Sequence, residues 1–394
     1  MSLAETGDEP AESLELRTAT GPVPLGFAQE TGIVYLVARD RAARWPVELL
    51  RRGTADLALP TRIARGTPQL VSEEGERARI LSLFRAKYGP ERFARWYDHP
   101  ARVLRVALDS NSRDDGPGSE HYYVWLQAEF DNVASEYDHH ITGNRMNRLL
   151  RNRSLAWLEP RFSRARRLLE IGCGSGMETL PLLRAGHEIV AVDISEQMLA
   201  TVRSKAEEAG LSSRLYTCHL RARDLSQLVA DLGSASLDGA YSTYGALNCE
   251  PDLGPVAAAL QQLLKPGAPF VAGVYNRWCL FEIAGYGASL QTGRAFGRRR
   301  NPVPVGSSRF CVDVYAYSVA DFQRLFRSGF WVEKIEGVPV MLPPSDLVGY
   351  AEKFSRHFER LADWDARIGT RWPFNRLGDH FLMTLVRTGE GVAA

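Results

Sequence analysis

Hydrophobic and polar positions divide the chain into two stretches with different rhythms. Before residue 109, short apolar runs read as strands: "GIVYLVARD", "TADLALPTRIA" and a closing "ARVLRVAL" that alternates Val103, Leu104, Val106 and Leu108 with arginines. Between them, "PQLVSEEGERARILSLFRAKYG" ends in a helix with Ile80, Leu81, Leu83 and Phe84 on or near one face. After residue 119 the periods alternate. Phe130, Val133, Ala134 and Tyr137 fall at i, i+3, i+4 and i+7, the stripe of an amphipathic helix. The pattern then predicts strand 168–171, helix 177–185, strand 188–192, helix 195–209, strand 214–218, strand 237–242, helix 252–264 and strand 269–275. A strand near 310–318, a helix near 319–328, strands near 330–340 and 380–387, and a helical stretch within 344–367 complete it. Such alternation implies an open, mostly parallel α/β sheet with helices on both faces.

The seam is "DSNSRDDGPGS", residues 109–119, which lacks apolar periodicity and is rich in turn formers. The organisation expected is a disordered segment 1–16, a small mixed domain 17–108, a linker 109–119 and a larger domain 120–394. At 45% hydrophobic and 24% charged residues, both domains have enough apolar side chains for a core. A formal net charge of +1 gives no electrostatic case for a nucleic-acid or membrane partner. The acidic "MSLAETGDEPAESLEL" lacks the apolar centre of a signal peptide, and no run is long enough to span a bilayer. Five scattered cysteines without a CxxC pair read as reduced thiols, so the expected location is cytoplasmic.

The most informative stretch is "LLEIGCGSGMETL", residues 168–180. A strand runs straight into Gly172, Gly174 and Gly176, which permit a tight turn and close approach of a ligand to the backbone. A dinucleotide site needs GxGxxG. Here the third glycine comes one residue early, and Met177 stands where the dinucleotide glycine would be. Asp193 ends the next strand about 20 residues on, where a carboxylate can accept hydrogen bonds from both hydroxyls of a ribose. Ser195 is placed to cap the following helix.

Taken in order, "EIGCGSG", "AVDISEQML", "SLDGAYSTYGALN" and "LLKPGAPFVAGV" resemble the class I S-adenosylmethionine-dependent methyltransferases over about residues 125–388. The resemblance implies a Rossmann-like sheet and S-adenosyl-L-methionine as cofactor. It implies that Gly172, Cys173, Gly174 and Gly176 pass the aminoacyl part of the donor, with Glu170 supporting that loop or the ligand amine through water. Asp193 would hold the ribose, with Ile194 and Met198 beside the adenine, and Ala222, Arg223 and Asp224 are candidates for an adenine contact. Tyr137 is similar to the family's helical aromatic that closes over the donor, with plain core packing as the alternative.

Methyl transfer is an in-line displacement at carbon, so the protein gains most by holding donor and nucleophile in attack geometry. "YSTYGALNC" should border the methyl group, which makes Tyr241, Tyr244 and Asn248 candidates for orienting an acceptor. Tyr241 would also face the donor. His139 is the first candidate base, with His140 beside it and His219 a weaker one. The stretch lacks the Asn/Asp-Pro-Pro-aromatic tetrapeptide of family members acting on nucleobase amino groups or glutamine amides, which points to a small-molecule acceptor. "GRAFGRRRNPVP" carries Arg294, Arg298, Arg299 and Arg300, read as a solvated loop or as a lid recruiting an anionic, natural-product-like acceptor. Asp379 and His380 read as structural, and no compact cluster of acidic residues and histidines calls for a metal.

Residues 20–108 resemble, more weakly, the split β-barrel of pyridoxamine-phosphate-oxidase-like and deazaflavin-dependent reductases, through "GIVYLVARDRAARWPVELLRRG" and "LFRAKYG". There, Arg41, Arg44 and Trp45 would lie on a turn against cofactor phosphate, but Glu48 would repel it. A structural module, or one that forms a homodimer, is therefore preferred to a flavin or deazaflavin site. Three readings stand: a small-molecule methyltransferase, a bifunctional protein with a redox first domain, and a non-catalytic S-adenosylmethionine-binding protein.

Overall fold

The computed structural model describes residues 13–389 apart from 19–20, 31–32, 40–42, 60–61, 98–99, 101, 109–117, 136, 289, 291, 301, 304–311 and 345–357. Two compact units divide the chain at Leu126/Gln127. The boundary falls inside a helix, rather than in the 109–119 seam, of which residues 109–117 lie outside the described residues.

The first unit is a closed antiparallel barrel. Its strands are β1 (Ser13–Thr18), β2 (Gly21–Glu30), β3 (Ile33–Ala38), β4 (Ala55–Leu59), β5 (Arg62–Leu70) and β6 (Arg102–Ala107), in the order β1-β2-β3-β6-β5-β4 with β1 closing on β4. Alternation sends Leu14, Leu16, Val34, Leu36, Leu57, Leu104 and Val106 into full burial. Disorder through residue 16 is thereby corrected: Ser13–Leu16 belong to β1, where the two leucines are core. "TADLALPTRIA" is a hairpin of two strands rather than one. Helices α1 (Arg44–Arg52), α2 (Glu74–Tyr88) and α3 (Pro90–Tyr97) complete the unit. On α2 and α3, Phe84, Tyr88, Phe93 and Tyr97 form an aromatic cluster with Tyr35 and Val103. Trp45 is buried within α1 and not on a turn, Glu48 pairs with Arg52, and Arg41 lies outside the described residues.

The second unit contains the end of α4 (Glu120–Val133), then α5 (Tyr137–Gly143) and α6 (Arg145–Phe162). The amphipathic stripe through Tyr137 is therefore not one helix: the chain turns at Ala134–Ser135. Strands β7 (Arg167–Ile171), β8 (Glu188–Asp193), β9 (Leu215–His219), β10 (Gly239–Ser242), β11 (Pro269–Tyr275), β12 (Phe330–Val338) and β13 (His380–Arg387) form one sheet, ordered β12-β13-β11-β10-β7-β8-β9. β7 to β11 run parallel, and β13 is antiparallel to both neighbours. Helices α7 (Thr179–Arg184), α8 (Glu196–Glu208), α9 (Leu228–Leu232), α10 (Gly254–Leu263), α11 (Leu280–Ala288), α12 (Thr292–Ala295), α13 (Val319–Phe326) and α14 (Phe358–Gly369) connect or flank them. The Rossmann-like α/β architecture is thus as expected. The strand near 310–318 is not: the described part holds only isolated bridges, Val303 with Val314 and Asn276 with Tyr317.

The sheet's centre explains where a site can lie. Leu168, Leu169, Ile189, Ala191, Tyr241 and Val271 are fully buried, as strands covered on both faces require. Successive strands spread outward from β7 on one side and from β10 on the other, so the order reverses between these two. The loops after their carboxyl ends diverge there and leave a crevice. No described helix is long and apolar enough to cross a membrane.

Candidate functional site

At this crevice the glycines have separate physical reasons. Gly172, Gly174 and Gly176 have φ of 73°, 51° and 85°, a region that side chains other than glycine rarely enter. A Cβ at Gly172 would overlap the Ala246 methyl, and one at Gly176 would lie 2.5 Å from Val202 Cγ2. At Gly174 it would meet the Tyr137 ring at 3.7 Å, an ordinary contact distance, so the loop packs closely against α5. The amides of Gly172 and Cys173 both donate to Val192 O, at 2.7 and 3.0 Å, which ties the loop to β8. The Cys173 thiol is buried under the loop, and burial holds it well above its ordinary range.

Asp193 joins the same loop to the next helix. Its Oδ2 accepts from the Gly174 amide at 2.8 Å and its Oδ1 from the Ser195 amide at 2.9 Å. Burial pushes the carboxyl up to about 6 although these amides favour its charge. Ser195 caps α8 by accepting from Met198 N, and it donates to Asp131 Oδ1 at 2.6 Å. Asp131, on α4, also accepts from Gln197 N, adding a negative charge at the α8 N-terminus. Ile194 is partly exposed and Met198 buried, both at the β8 edge. Beyond β9, Ala222, Arg223 and Asp224 form a 3-10 turn, where Asp224 pairs with Arg221.

Beneath the loop, Glu170 is buried and accepts from Thr179 Oγ1 at 2.5 Å. Burial pushes it up to about 8, so at neutral pH it is a largely protonated support of the α7 start. α5 is fastened on the other side. Asp138 accepts from Ser175 Oγ and pairs with Lys205, whose ammonium also donates to Ser175 O at 2.9 Å. Arg151 on α6 grips both oxygens of buried Glu178 at 2.7 Å, and it reaches Tyr137 Oη at 3.5 Å and Thr243 Oγ1 at 3.3 Å. Sequence reasoning missed Arg151, Glu178, Asp138 and Lys205. The only signals were a charge within each of four separate helices or turns, and spacing does not reveal that they converge.

After β10 the expectations need correction. Tyr241 is fully buried, packed against Phe162 at 5.8 Å between ring centroids, so its side chain belongs to the core and not to an open ligand surface. Burial and the neighbouring Glu170 carboxyl hold its hydroxyl well above the usual range. Asn248 is not free to orient an acceptor. It donates to Tyr315 O at 2.7 Å and Tyr275 O at 3.3 Å and accepts from Tyr275 N at 2.9 Å, clamping two segments. The Tyr244 hydroxyl donates to Leu150 O at 2.7 Å, and burial raises it further, which removes it as a base. His139 is exposed on α5, the side chain of His140 lies outside those described, and His219 reaches Ile194 O at 2.8 Å. Open space does exist beside Tyr244: a Cβ on Gly245, at φ 123°, would meet nothing within 4 Å.

The arginine segment also differs from expectation. Arg298 is buried, in neither a solvated loop nor a lid, and it pairs with Glu282 at 2.5 Å and Asp379 at 2.6 Å while donating to Asp379 O at 2.9 Å. Cys279, Glu282 and Asp379 offer ligand atoms within 4.8 Å of one another, but the guanidinium already compensates both carboxylates. Arg299 and Arg300 are exposed, and the Arg294 side chain lies outside those described.

The chain is similar to known methyltransferases. Residues 168–267 match the family described as "Methyltransferase domain". The ubiquinone biosynthesis O-methyltransferase of Methylococcus capsulatus is 30% identical over 113 residues, 28% of this chain and 44% of that protein. The tRNA 5-carboxymethoxyuridine methyltransferase of Escherichia coli is 24% identical over 185 residues, covering 44% of this chain and 68% of that one. Among solved structures, the 1,6-didemethyltoxoflavin-N1-methyltransferase of Burkholderia thailandensis, bound to S-adenosylhomocysteine, is similar at 18% identity, over 72% of this chain and 95% of that one, with a TM-score of 0.43. The chain spans less than half the length of that ubiquinone-biosynthesis relative. Residues 168–267 thus carry a class I S-adenosylmethionine-dependent methyltransferase domain.

Proposed function

We propose that this protein transfers the methyl group of S-adenosylmethionine to a small-molecule acceptor bound beside Tyr244 and Gly245. The observation that carries the reading is the double anchoring of Asp193. One carboxylate draws in the Gly174 amide and the Ser195 amide, placing an acidic group at the β8 edge next to the glycine bend. The residues fit the donor. Gly174 presents bare backbone beside the Tyr137 ring, and Asp193 retains lone pairs for ribose hydroxyls. Met198 and Ile194 give the apolar border an adenine needs.

The donor supplies an already activated methyl group, so this chain's own work is orientation and exclusion of water. Arg151 and Lys205 hold α5 against the loop through Tyr137 and Asp138, closing one side. Gly172, pressed against Ala246, brings the loop after β7 up to the loop after β10, where the acceptor would sit. The absence of the nucleobase-type tetrapeptide and the neutral overall charge support a small acceptor over a nucleic acid. The barrel unit is read as a scaffold or dimerising module.

The test is isothermal calorimetry with S-adenosylhomocysteine on the wild type and Asp193→Ala. A loss of roughly 10- to 150-fold in affinity is expected, the worth of hydrogen bonds to a charged group. Equal affinity in the two proteins would refute the site.

A further inference from the structure

We propose that His380 is the general base of this site and that the acceptor it serves is a phenol; this rests on the methyltransferase reading above. His380 opens β13 and pairs in register with Tyr275, the last residue of β11, so it lies on the sheet edge that carries the loops after β7 and β10. Its imidazole stands edge-on between two rings, Tyr244 at 5.2 Å and Tyr275 at 5.3 Å between centroids. Tyr244 in turn lies under the Arg151 guanidinium at 5.5 Å, and Arg151 reaches Tyr137 at the glycine loop. The histidine therefore borders the acceptor end of the crevice.

The tautomer follows from its partner. Burial would raise the Asp379 carboxyl, but the Arg298 guanidinium and the hydrogen bond from His380 outweigh it and hold it at about 2, so Asp379 is an acceptor only. His380 Nδ1–H must then donate to Asp379 Oδ2, at 3.1 Å, which in the neutral imidazole leaves the lone pair on Nε2. Nε2 has no hydrogen-bond partner among the described residues, nor is it one of the buried atoms left unsatisfied. Asp379 is fixed by Arg298, itself stacked over Tyr275 at 4.0 Å. The charged and titratable groups around the imidazole are thus Asp379 on its own segment, Arg298 beyond it, Tyr275 from β11 and Tyr244 from the loop after β10. An orienting carboxylate, a fixed tautomer and an open nitrogen are the arrangement that proton abstraction needs.

The same chemistry selects the acceptor. A neutral amine already has its lone pair and a carboxylate has no proton to lose. An aliphatic hydroxyl is too weak an acid for an imidazole, whereas a phenol is within reach, and its flat ring suits walls made of tyrosine edges. In the step, the phenol O–H proton goes to Nε2 while the oxygen attacks the methyl carbon. The C–S bond breaks with its electron pair returning to sulfur, S-adenosylhomocysteine leaves, and the imidazolium releases its proton to solvent.

The test titrates 4-nitrophenol, whose phenolate absorbs in the visible, into the full chain saturated with S-adenosylhomocysteine, at about one pH unit below the probe's own ionisation. The wild type should bind it as phenolate, and His380→Gln, with unchanged melting temperature and unchanged S-adenosylhomocysteine affinity, should lose at least tenfold of that bound phenolate, a threshold below the roughly 10²–10⁴-fold that a positioned acid–base group contributes. Equal phenolate in both proteins would overturn the base assignment. No binding of the probe to a wild type that does bind S-adenosylhomocysteine would overturn the phenol class. Failure to bind S-adenosylhomocysteine would instead remove the methyltransferase reading beneath both.

Discussion

Gly172 and Ala246 are pressed together across the head of the sheet, with no room for a methyl group between them. They follow β7 and β10, the two strands between which the strand order reverses, so this contact sets how wide the crevice opens.

Gly172→Ala should therefore do two things at once. The left-handed φ of 73° and the overlap with Ala246 should cost about 1–3 kcal/mol of stability, and the loop should shift away from the donor. Thermal melts and S-adenosylhomocysteine calorimetry should both register the change. A variant with wild-type values in both would mean that the approach is not needed.

Glu170 gives a pH dependence. Its folded value, raised from 4.5 to about 8, means the folded state binds a proton that the unfolded chain gives up. The stability it contributes is thus complete below about pH 4.5 and is lost as pH rises through 8. Glu170→Gln, which cannot ionise, should flatten this decline and be more stable than the wild type above pH 8, by up to roughly 5 kcal/mol. Urea denaturation across that range measures it.

Asn248 separates a clamp from a catalyst. Asn248→Ala strands the Tyr275 amide and removes two donors from buried carbonyls, so about 2–3 kcal/mol of stability should go. A variant that melts like the wild type but no longer binds an acceptor would restore the catalytic role the sequence suggested.

Arg298→Met should be strongly destabilising, because Arg298 is buried. It leaves Glu282 and Asp379 buried without a countercharge, a loss of about 3–5 kcal/mol. Asp379 is held below its ordinary 3.8 at about 2, so its stabilising share exists above pH 4 and disappears as pH falls through 2. In Arg298→Met that acid limb should vanish from a plot of melting temperature against pH.

Much of the donor side was legible in the sequence. Glycine spacing, the acidic residue ending the next strand and the serine before the helix are local chemistry: each states a backbone conformation or cap within a few residues. Periodicity also carried β7, β8, β10 and β11 along the chain, because strands buried on both faces must be continuously apolar. The limits were equally physical. The strands before residue 30 were not foreseen, since "GPVPLGFAQE" holds two prolines and a weak alternation that only closure of the barrel rescues. Helix α5 was merged with α4 because the period continues across a turn.

What tertiary structure alone decided is which polar groups meet. Tyr241, Tyr244 and Asn248 sit in one short motif, yet one faces a core, one bonds to α6 and one clamps two loops. Arg298, in an arginine-rich segment that reads as solvated, lies 81 residues from Asp379 and is buried against it. His380 gains an oriented imidazole only because β13 is inserted antiparallel beside β11. The sequence by itself determines conformations and apolar faces, which depend on neighbours along the chain. Burial and pairing of charge depend on neighbours in space, and those exist only once the sheet has formed.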